Sequence, residues 1–449
     1  MRRHLLVGRM GPQDTVKPPK ASDEVQTILQ LVSGNKRFTF GIGNAVEDLV
    51  GLNLYPSEIG LDLLVLAAHV HAADTRILRD SDSQDGWSRE IRLIVPVSDV
   101  PRWSAVAPLI QQMLNFLTGD YWTVGFRARP KGFAQVIPVR PAKMTKPSFD
   151  RVNLFSGGLD SLIGAIEALA AGVTPLLVSH AGEGAVSQAQ VACYDGLVAA
   201  YGQKRLDRLR VWMNFPTDLV KGGGHENTTR GRSFLFFAAA VFAGSGLNGS
   251  FTVNVPENGF IALNVPLDPL RLGALSTRTT HPFYMARWNE LMAALGIQGR
   301  LYNPHWNQTK GEMVAACHNA PLLKSLVKSS ISCSSPAKGR WTGHVAGHCG
   351  YCLPCIIRRA ALQPMDPTDY VVPLKGRVLD TKSAEGEQVR SFQFAAQRLA
   401  ANPALAAILV HKAGPLRDEA PHLKQLADVY RRGLAEVAAL LQGVSARPR

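Results

Sequence analysis

The chain has 449 residues, 46% of them apolar and 19% charged, which fits a soluble globular protein with a large core and two or three domains. Lys and Arg number 49 against 35 Asp and Glu, a net charge of +14 that calls for an anionic partner without choosing among nucleotide, nucleic acid and acidic protein. Six cysteines exclude a disulfide framework in so long a chain, and the longest apolar run, residues 233–247, is too short to span a bilayer. A signal peptide is not expected behind Arg2 and Arg3, so the protein is placed in the cytoplasm with no membrane contact.

Residues 1–20 are basic and Pro-rich and are expected to be a flexible lead. Residues 27–31 and 37–42 predict a hairpin around Ser33-Gly34-Asn35, and residues 61–71 are apolar at helical spacing. Residues 89–97 alternate as a strand, residues 103–117 predict a helix, and residues 121–129 a further strand. Together, residues 21–140 predict an N-terminal α+β domain, a partner or substrate module ending in a Pro-rich linker at 138–147. Its Asp62, His69, His71 and Asp74 are expected on a solvated helix face rather than at a metal, and Trp87, Trp103, Tyr121 and Trp122 as core or interface anchors.

From Arg151 the pattern changes to strand and helix in alternation, which predicts a doubly wound parallel sheet over residues 150–360. Ligands of such sheets sit beyond the carboxyl ends of the strands, where strand order reverses. The first loop of this unit is Ser156-Gly-Gly-Leu-Asp-Ser161, between the strand 152–155 and an apolar-periodic helix. Gly157 and Gly158 free the backbone to turn its N–H groups outward, and the helix start and the hydroxyls of Ser156 and Ser161 complete a cradle for an anion. The spacing is neither that of a Walker A loop nor that of a dinucleotide fingerprint. A plain turn joining a core strand to a helix would not need the Ser and Asp positions as well.

The later strand ends carry polar groups at the expected rim: His180, Arg230 and Arg232 before a wholly apolar helix, Glu257, and the cluster Arg278-Thr-Thr-His281. Lys310 opens another helix and can neutralise polyphosphate. Cys333, Cys349, Cys352 and Cys355 follow a C-x15-C-x2-C-x2-C spacing suited to a closed, structural Zn²⁺ site. His344 or His348 could replace one ligand, and an iron–sulfur cluster is the alternative. Cys193 and Cys317 are expected in the core. Residues 361–449 predict a small helical appendage, with helices at 385–401, 403–410 and 420–442.

The hexapeptide resembles the pyrophosphate (PP) loop of the N-type ATP pyrophosphatases. With Gly231-Arg-Ser-Phe-Leu-Phe236, Thr309-Lys-Gly-Glu312, Ser332-Cys333 and Cys349-Gly-Tyr-Cys352-Leu-Pro-Cys355, residues 150–360 resemble the 7-cyano-7-deazaguanine synthase (QueC-like) family. The resemblance implies an adenine nucleotide α-hydrolase-like fold and ATP bound by Leu154, Phe155, Ser156, Gly157, Gly158, Leu159, Asp160, Ser161 and Leu162. It implies catalytic roles for Asp160, Ser161, Lys310 and Arg232, with Mg²⁺ or the loop geometry held by Asp160. His180, Arg230, Arg232, Glu257, Arg278 and His281 would meet a 7-deazaguanine-type base, whose adenylated carboxylate passes to an amine, either ammonia or an amine of a partner protein. His180-Ala-Gly, Ser233, Glu257-Asn-Gly and Ser276-Thr-Arg-Thr-Thr-His-Pro282 depart from the family pattern. With the added N-terminal domain they look like the QatC-type branch of bacterial anti-phage defence systems, whose members would supply a protein partner. The alternatives are a tRNA-modifying thiolase of the same superfamily, which would bind nucleic acid, and a nucleotide-binding scaffold of a defence complex.

Overall fold

The computed structural model describes residues 2–34, 37–83, 85–142, 148–182, 184–268, 278–337, 339, 343 and 345–448. Its first sheet is built from β1 (Arg3–Arg9), β2 (Glu24–Gln30), β3 (Glu90–Val97) and β4 (Tyr121–Ala128), ordered β2-β1-β3-β4 and parallel at every pairing. Between these strands run α1 (Ile42–Gly51), α2 (Glu58–Arg76) and the short α3 (Arg79–Asp82), then α4 (Val100–Ala105) and α5 (Ala107–Thr118).

Four expectations for this region are corrected. Residues 3–9 are not a flexible lead but an inner strand, with Leu5, Leu6 and Val7 fully buried, because a short continuous apolar run is what a strand covered on both faces looks like. The predicted hairpin reduces to one antiparallel bridge, Val32 to Phe38, while β2 pairs parallel with β1; Asn35 lies outside the described residues. The unit is therefore parallel α/β rather than α+β. The helix predicted over 103–117 is also split, Val106 ending α4 and opening α5 with Pro108 in its first turn.

Helix α2 starts at Ser57, whose hydroxyl accepts from Gly60 N–H, and every residue from Gly60 to Arg76 is buried, so it is covered on all sides. One side lies on β1 and β3 and another on α8 (Arg232–Gly244), itself wholly apolar. Asp62, His69, His71 and Asp74 are consequently buried, not solvated. Trp103 and Trp122 are core anchors as expected, whereas Tyr121 is exposed.

The second sheet comprises β5 (Arg151–Leu154), β6 (Pro175–His180), β7 (Asp207–Val211), β8 (Phe251–Asn254) and β9 (Gly299–Tyr302), all parallel in the order β7-β6-β5-β8-β9. Helices α6 (Leu159–Ala170), α7 (Gly184–Tyr201), α8, α9 (Gly259–Leu263) and α10 (Pro282–Ala294) connect these strands; α11 (Lys310–Ala316) and α12 (Ala320–Leu326) follow β9. Strand order reverses between β5 and β8, so the loops after these two strands flank the crevice. A single hydrophobic cluster runs from Leu6 and Leu93 of the first sheet through α2 and α8 to Val152 and Val253 of the second.

After the cysteine segment come α13 (Leu353–Ala361), the two-stranded pair β10 (Val378–Asp380) and β11 (Ser445–Arg447), and α14 (Ala384–Ala401), α15 (Leu405–Leu409) and α16 (Leu423–Leu440). Helix α16 packs on α9 and α13, placing the appendage against the crevice side of the second sheet. No helix among the described residues is long and apolar enough to cross a membrane.

Candidate active site

Phe155 and Leu162, both buried in the core, fix the two ends of the loop after β5. Gly157 takes φ +79°, a conformation that side chains resist, and its carbonyl accepts from Ile331 N–H at 2.8 Å. Helix α6 then opens at Gly158, which has no side chain to cap it, so its first N–H groups remain for other acceptors. The Ser156 hydroxyl accepts from Gly158 N–H at 3.3 Å and donates to Ser161 Oγ at 3.2 Å, and Ser332 Oγ accepts from Leu159 N–H at 3.2 Å. An anion entering here would take over donors now occupied by two hydroxyls.

Asp160, in the first turn of α6, is buried with one carboxylate oxygen 2.7 Å from Lys310 Nζ and the other accepting from Asn258 Nδ2 at 2.7 Å and Asn258 N at 3.2 Å. Burial alone would raise its pKa, but the Lys310 charge and the hydrogen bonds from Glu257, Lys310 and Asn258 hold it at about 2. Glu257, at the end of β8, moves the other way. Burial, then the charge of Asp160 and their mutual hydrogen bond, push it well above the usual glutamate range. The surroundings therefore favour the proton on Glu257 and the negative charge on Asp160, beside the Lys310 side chain.

Two adjoining chambers open from this point. One, of about 270 Å³, is lined by Ser156, Gly158, Asp160, Arg232, Lys310 and Ser332 among others. Its neighbour, of about 430 Å³, is walled by Leu154, Phe236 and Phe237 and reached by Thr229, Arg230 and Thr280. Arg232, Ser161, Glu257 and Cys333 line both.

Three of the expected substrate residues do not reach either chamber. His180 is buried edge-on to His71, with ring centres 5.2 Å apart, and burial with the nearby Arg232 charge lowers it to about 4. Arg278 lies over the Phe116 ring at 4.7 Å and donates to the Phe116 carbonyl at 2.9 Å. His281 caps α10 by accepting from Phe283 N–H through Nδ1 at 3.2 Å. Asn258 and Ser332 belong to the motifs Glu257-Asn-Gly and Ser332-Cys333, but the sequence assigned neither of them a contact in the site.

The four cysteine sulfurs lie within 4.8 Å of one another, with Cys333 to Cys352 at 3.9 Å and Cys349 to Cys355 at 4.0 Å. A single ion held by four thiolates at about 2.3 Å requires sulfurs about 3.8 Å apart, so the group can hold one metal ion such as zinc. A multi-iron cluster would force the sulfurs further apart. His348 is not a ligand; its Nε2 accepts from Ser332 N–H at 3.1 Å, and His344 lies outside the described residues. Arg358, buried in α13, donates to Ser330 Oγ at 2.9 Å and Ser332 Oγ at 3.3 Å, tying the cysteine segment to the Gly-Gly loop.

Fold and site together define, among the described residues, an α/β protein with two large parallel sheets and a four-cysteine cluster beside the strand-order reversal of the second. Compared with models of known protein families the chain matches none, and it matches no curated protein.

Proposed function

We propose that the chain is an ATP-dependent ligase of the PP-loop type, which adenylates the carboxylate of a 7-deazaguanine-type base, releases pyrophosphate, and joins the acyl group to an amine with release of AMP. The observation that carries this reading is the contact of Lys310 and Glu257 with Asp160 of the Ser156-Gly-Gly-Leu-Asp-Ser161 loop, made across the point where strand order reverses. Two anions, a carboxylate and a triphosphate, must be brought together before the first step, and this crevice offers Lys310 in the smaller chamber and Arg232 in the wall common to both.

In the first step a substrate carboxylate oxygen bonds to the α-phosphorus while the bond from that phosphorus to the β-bridging oxygen breaks. The charge gathering on the departing pyrophosphate meets the N–H groups at the start of α6 and the hydroxyls of Ser156 and Ser161. Asp160, anionic at neutral pH, orients Lys310 and Asn258 and is the residue that would hold Mg²⁺, which supplies charge neutralisation on the phosphates. In the second step an uncharged amine attacks the acyl carbon, the bond to the AMP oxygen breaks, and the amine proton passes to solvent. The larger chamber, with apolar walls and Arg230, suits a planar base bearing a carboxylate.

The cysteine cluster is read as structural Zn²⁺. A thiolase needs a cysteine free to react, whereas the four clustered thiols converge on one point and Cys193 and Cys317 are buried, Cys193 pushed up to about 12 by burial. Placement in a QatC-type defence system, with a partner protein as amine donor, extends the same reading. The test is incubation with ATP, 7-carboxy-7-deazaguanine and ammonia, with AMP, pyrophosphate and the amide or nitrile product followed by mass spectrometry. The wild type should release AMP, and Asp160→Asn should lower that release at least ~100-fold in protein that still melts cooperatively, at a lower temperature because Lys310 loses its buried charge partner. Release of ADP and phosphate instead would overturn the adenylation reading.

A further inference from the structure

The wall of the larger chamber that carries Thr229, Arg230 and Arg232 is the loop 226–232, and the first sheet's module holds most of it. Glu226 accepts from Arg79 N–H at 2.8 Å and, through its other oxygen, from Thr228 N–H at 2.7 Å and Thr228 Oγ at 2.6 Å. Asp74 of α2 accepts from Arg230 N–H at 2.9 Å and Gly231 N–H at 2.7 Å through one carboxylate oxygen. Its other oxygen pairs with Arg89 at 3.1 Å, and Arg89 and Arg79 both bind Asp120, at 2.7 Å and 2.5 Å. All four of these charged side chains are at most 3% exposed. Gly231 fits this contact closely, since a Cβ there would lie 3.2 Å from the Asp74 carboxylate.

The Arg230 guanidinium is gripped by the same module. One nitrogen donates to the Thr118 carbonyl at 2.8 Å, and the group lies over the Trp87 ring at 4.4 Å. Arg230 is 7% exposed, lines the larger chamber, and its second terminal nitrogen, Nη2, has no protein partner. A buried guanidinium with one nitrogen unpartnered, on a residue that lines an apolar-walled chamber, is suited to recognising a carboxylate, with its aim set from behind.

We infer that Asp74 is a positioning residue: with the Arg79–Arg89–Asp120 network it sets the backbone of Arg230 and Gly231, and so aims Arg230 at the carboxylate of the substrate. The first sheet's module thereby contributes to substrate recognition without touching the substrate. This inference rests on the proposed chemistry for its kinetic arm but not for its structural arm.

The experiment uses full-length protein carrying Asp74→Asn, with Asp62→Asn as the control. Asp62 is a buried carboxylate of the same helix, paired with Arg129 and bonded to Ser98 and Trp103, and it borders neither chamber. Asp74→Asn should raise KM for 7-carboxy-7-deazaguanine at least about tenfold, the effect of weakening one charge-assisted contact, while KM for ATP changes little. Asp62→Asn should lower the melting temperature without moving either KM. Hydrogen exchange needs no substrate and separates the two readings: in Asp74→Asn the amides of Arg230 and Gly231 should lose protection while α8 keeps its own. Unchanged protection at these amides overturns the inference whatever the activity. Lost protection with an unmoved substrate KM overturns the link to Arg230. Lost protection in a protein whose wild type forms no AMP overturns the proposed reaction and keeps the coupling of Asp74 to the loop.

Discussion

Glu257 and Asp160 share one crevice and one hydrogen bond, and their surroundings drive their proton affinities apart. Because the folded state holds the Glu257 proton more tightly than the unfolded chain does, its contribution to stability is full below the ordinary value of 4.5 and shrinks as pH rises above it. Asp160 behaves oppositely: its contribution is present above 3.8 and is lost as pH falls toward about 2. Glu257→Gln should therefore stabilise the protein by on the order of 1 kcal/mol at pH 8 and by almost nothing at pH 4.5, read from urea unfolding at the two pH values. A gain of equal size at both would show that Glu257 is not the proton-bearing member. The two residues are 97 positions apart in the sequence, and the opposite displacement of their proton affinities could not be read there; it follows from the adjacency of β5 and β8.

At the scale of elements, the segment from Ser330 to Arg358 ties a metal-binding cluster to a phosphate cradle. Ile331 and Ser332 bond to Gly157 and Leu159, Arg358 bonds to Ser330 and Ser332, and Cys333 lines both chambers. Loss of the metal should therefore be felt in the loop and not only in overall stability. Purified protein should carry one equivalent of zinc, and Cys352→Ser should lose most of it, as read by elemental analysis. The same variant should show faster exchange at the Leu159 amide, whose acceptor Ser332 precedes the first cysteine. Metal loss with the Leu159 amide still protected would leave the cluster a purely distant staple. The spacing of the cysteines was legible because metal chemistry demands it locally. Their attachment to the loop was not, because hydroxyl-to-backbone contacts leave no periodic mark.

At the scale of the molecule, each flanking unit holds the start of a helix that faces the crevice. Asp74 of the first module holds the backbone entering α8, while Glu436 of α16 accepts from Thr309 Oγ1 and, at 3.3 Å, from Gly311 N–H at the start of α11, where Lys310 stands. Arg432 adds a 2.6 Å bond to Glu312 in the same turn. The residues 150–360 are thus not an independent unit flanked by accessories. Removing residues 1–145 would bare the apolar surface of α8, including the α2-facing part of a cluster that holds Phe234, Phe237 and Phe242, at about 25 cal/mol for every Å² of apolar area exposed, and would strip the acceptor from Arg230 and Gly231. The truncated chain should aggregate on expression, measured as the soluble fraction after lysis, and a soluble, cooperatively melting 146–449 fragment would refute the continuity of the core.

The sequence by itself determined the local chemistry: the Gly-Gly turn ahead of an uncapped helix, the cysteine spacing, and the alternation of strands and helices that makes a parallel sheet. Each of these depends on residues near one another in the chain, so composition and spacing carry it. The tertiary structure decided what long-range burial decides. Residues 3–9 read as a basic lead because their four apolar and small residues are too few for a periodicity, yet two neighbouring strands make them an inner strand. Asp62, His69, His71 and Asp74 read as the polar face of an amphipathic helix, yet α2 is covered on every side, and each polar group there finds its role only in what lies opposite. Arg278 and His281 read as rim residues because they cluster in sequence, and they face Phe116 instead, since the docking of α5 against α10 turns them toward the first module.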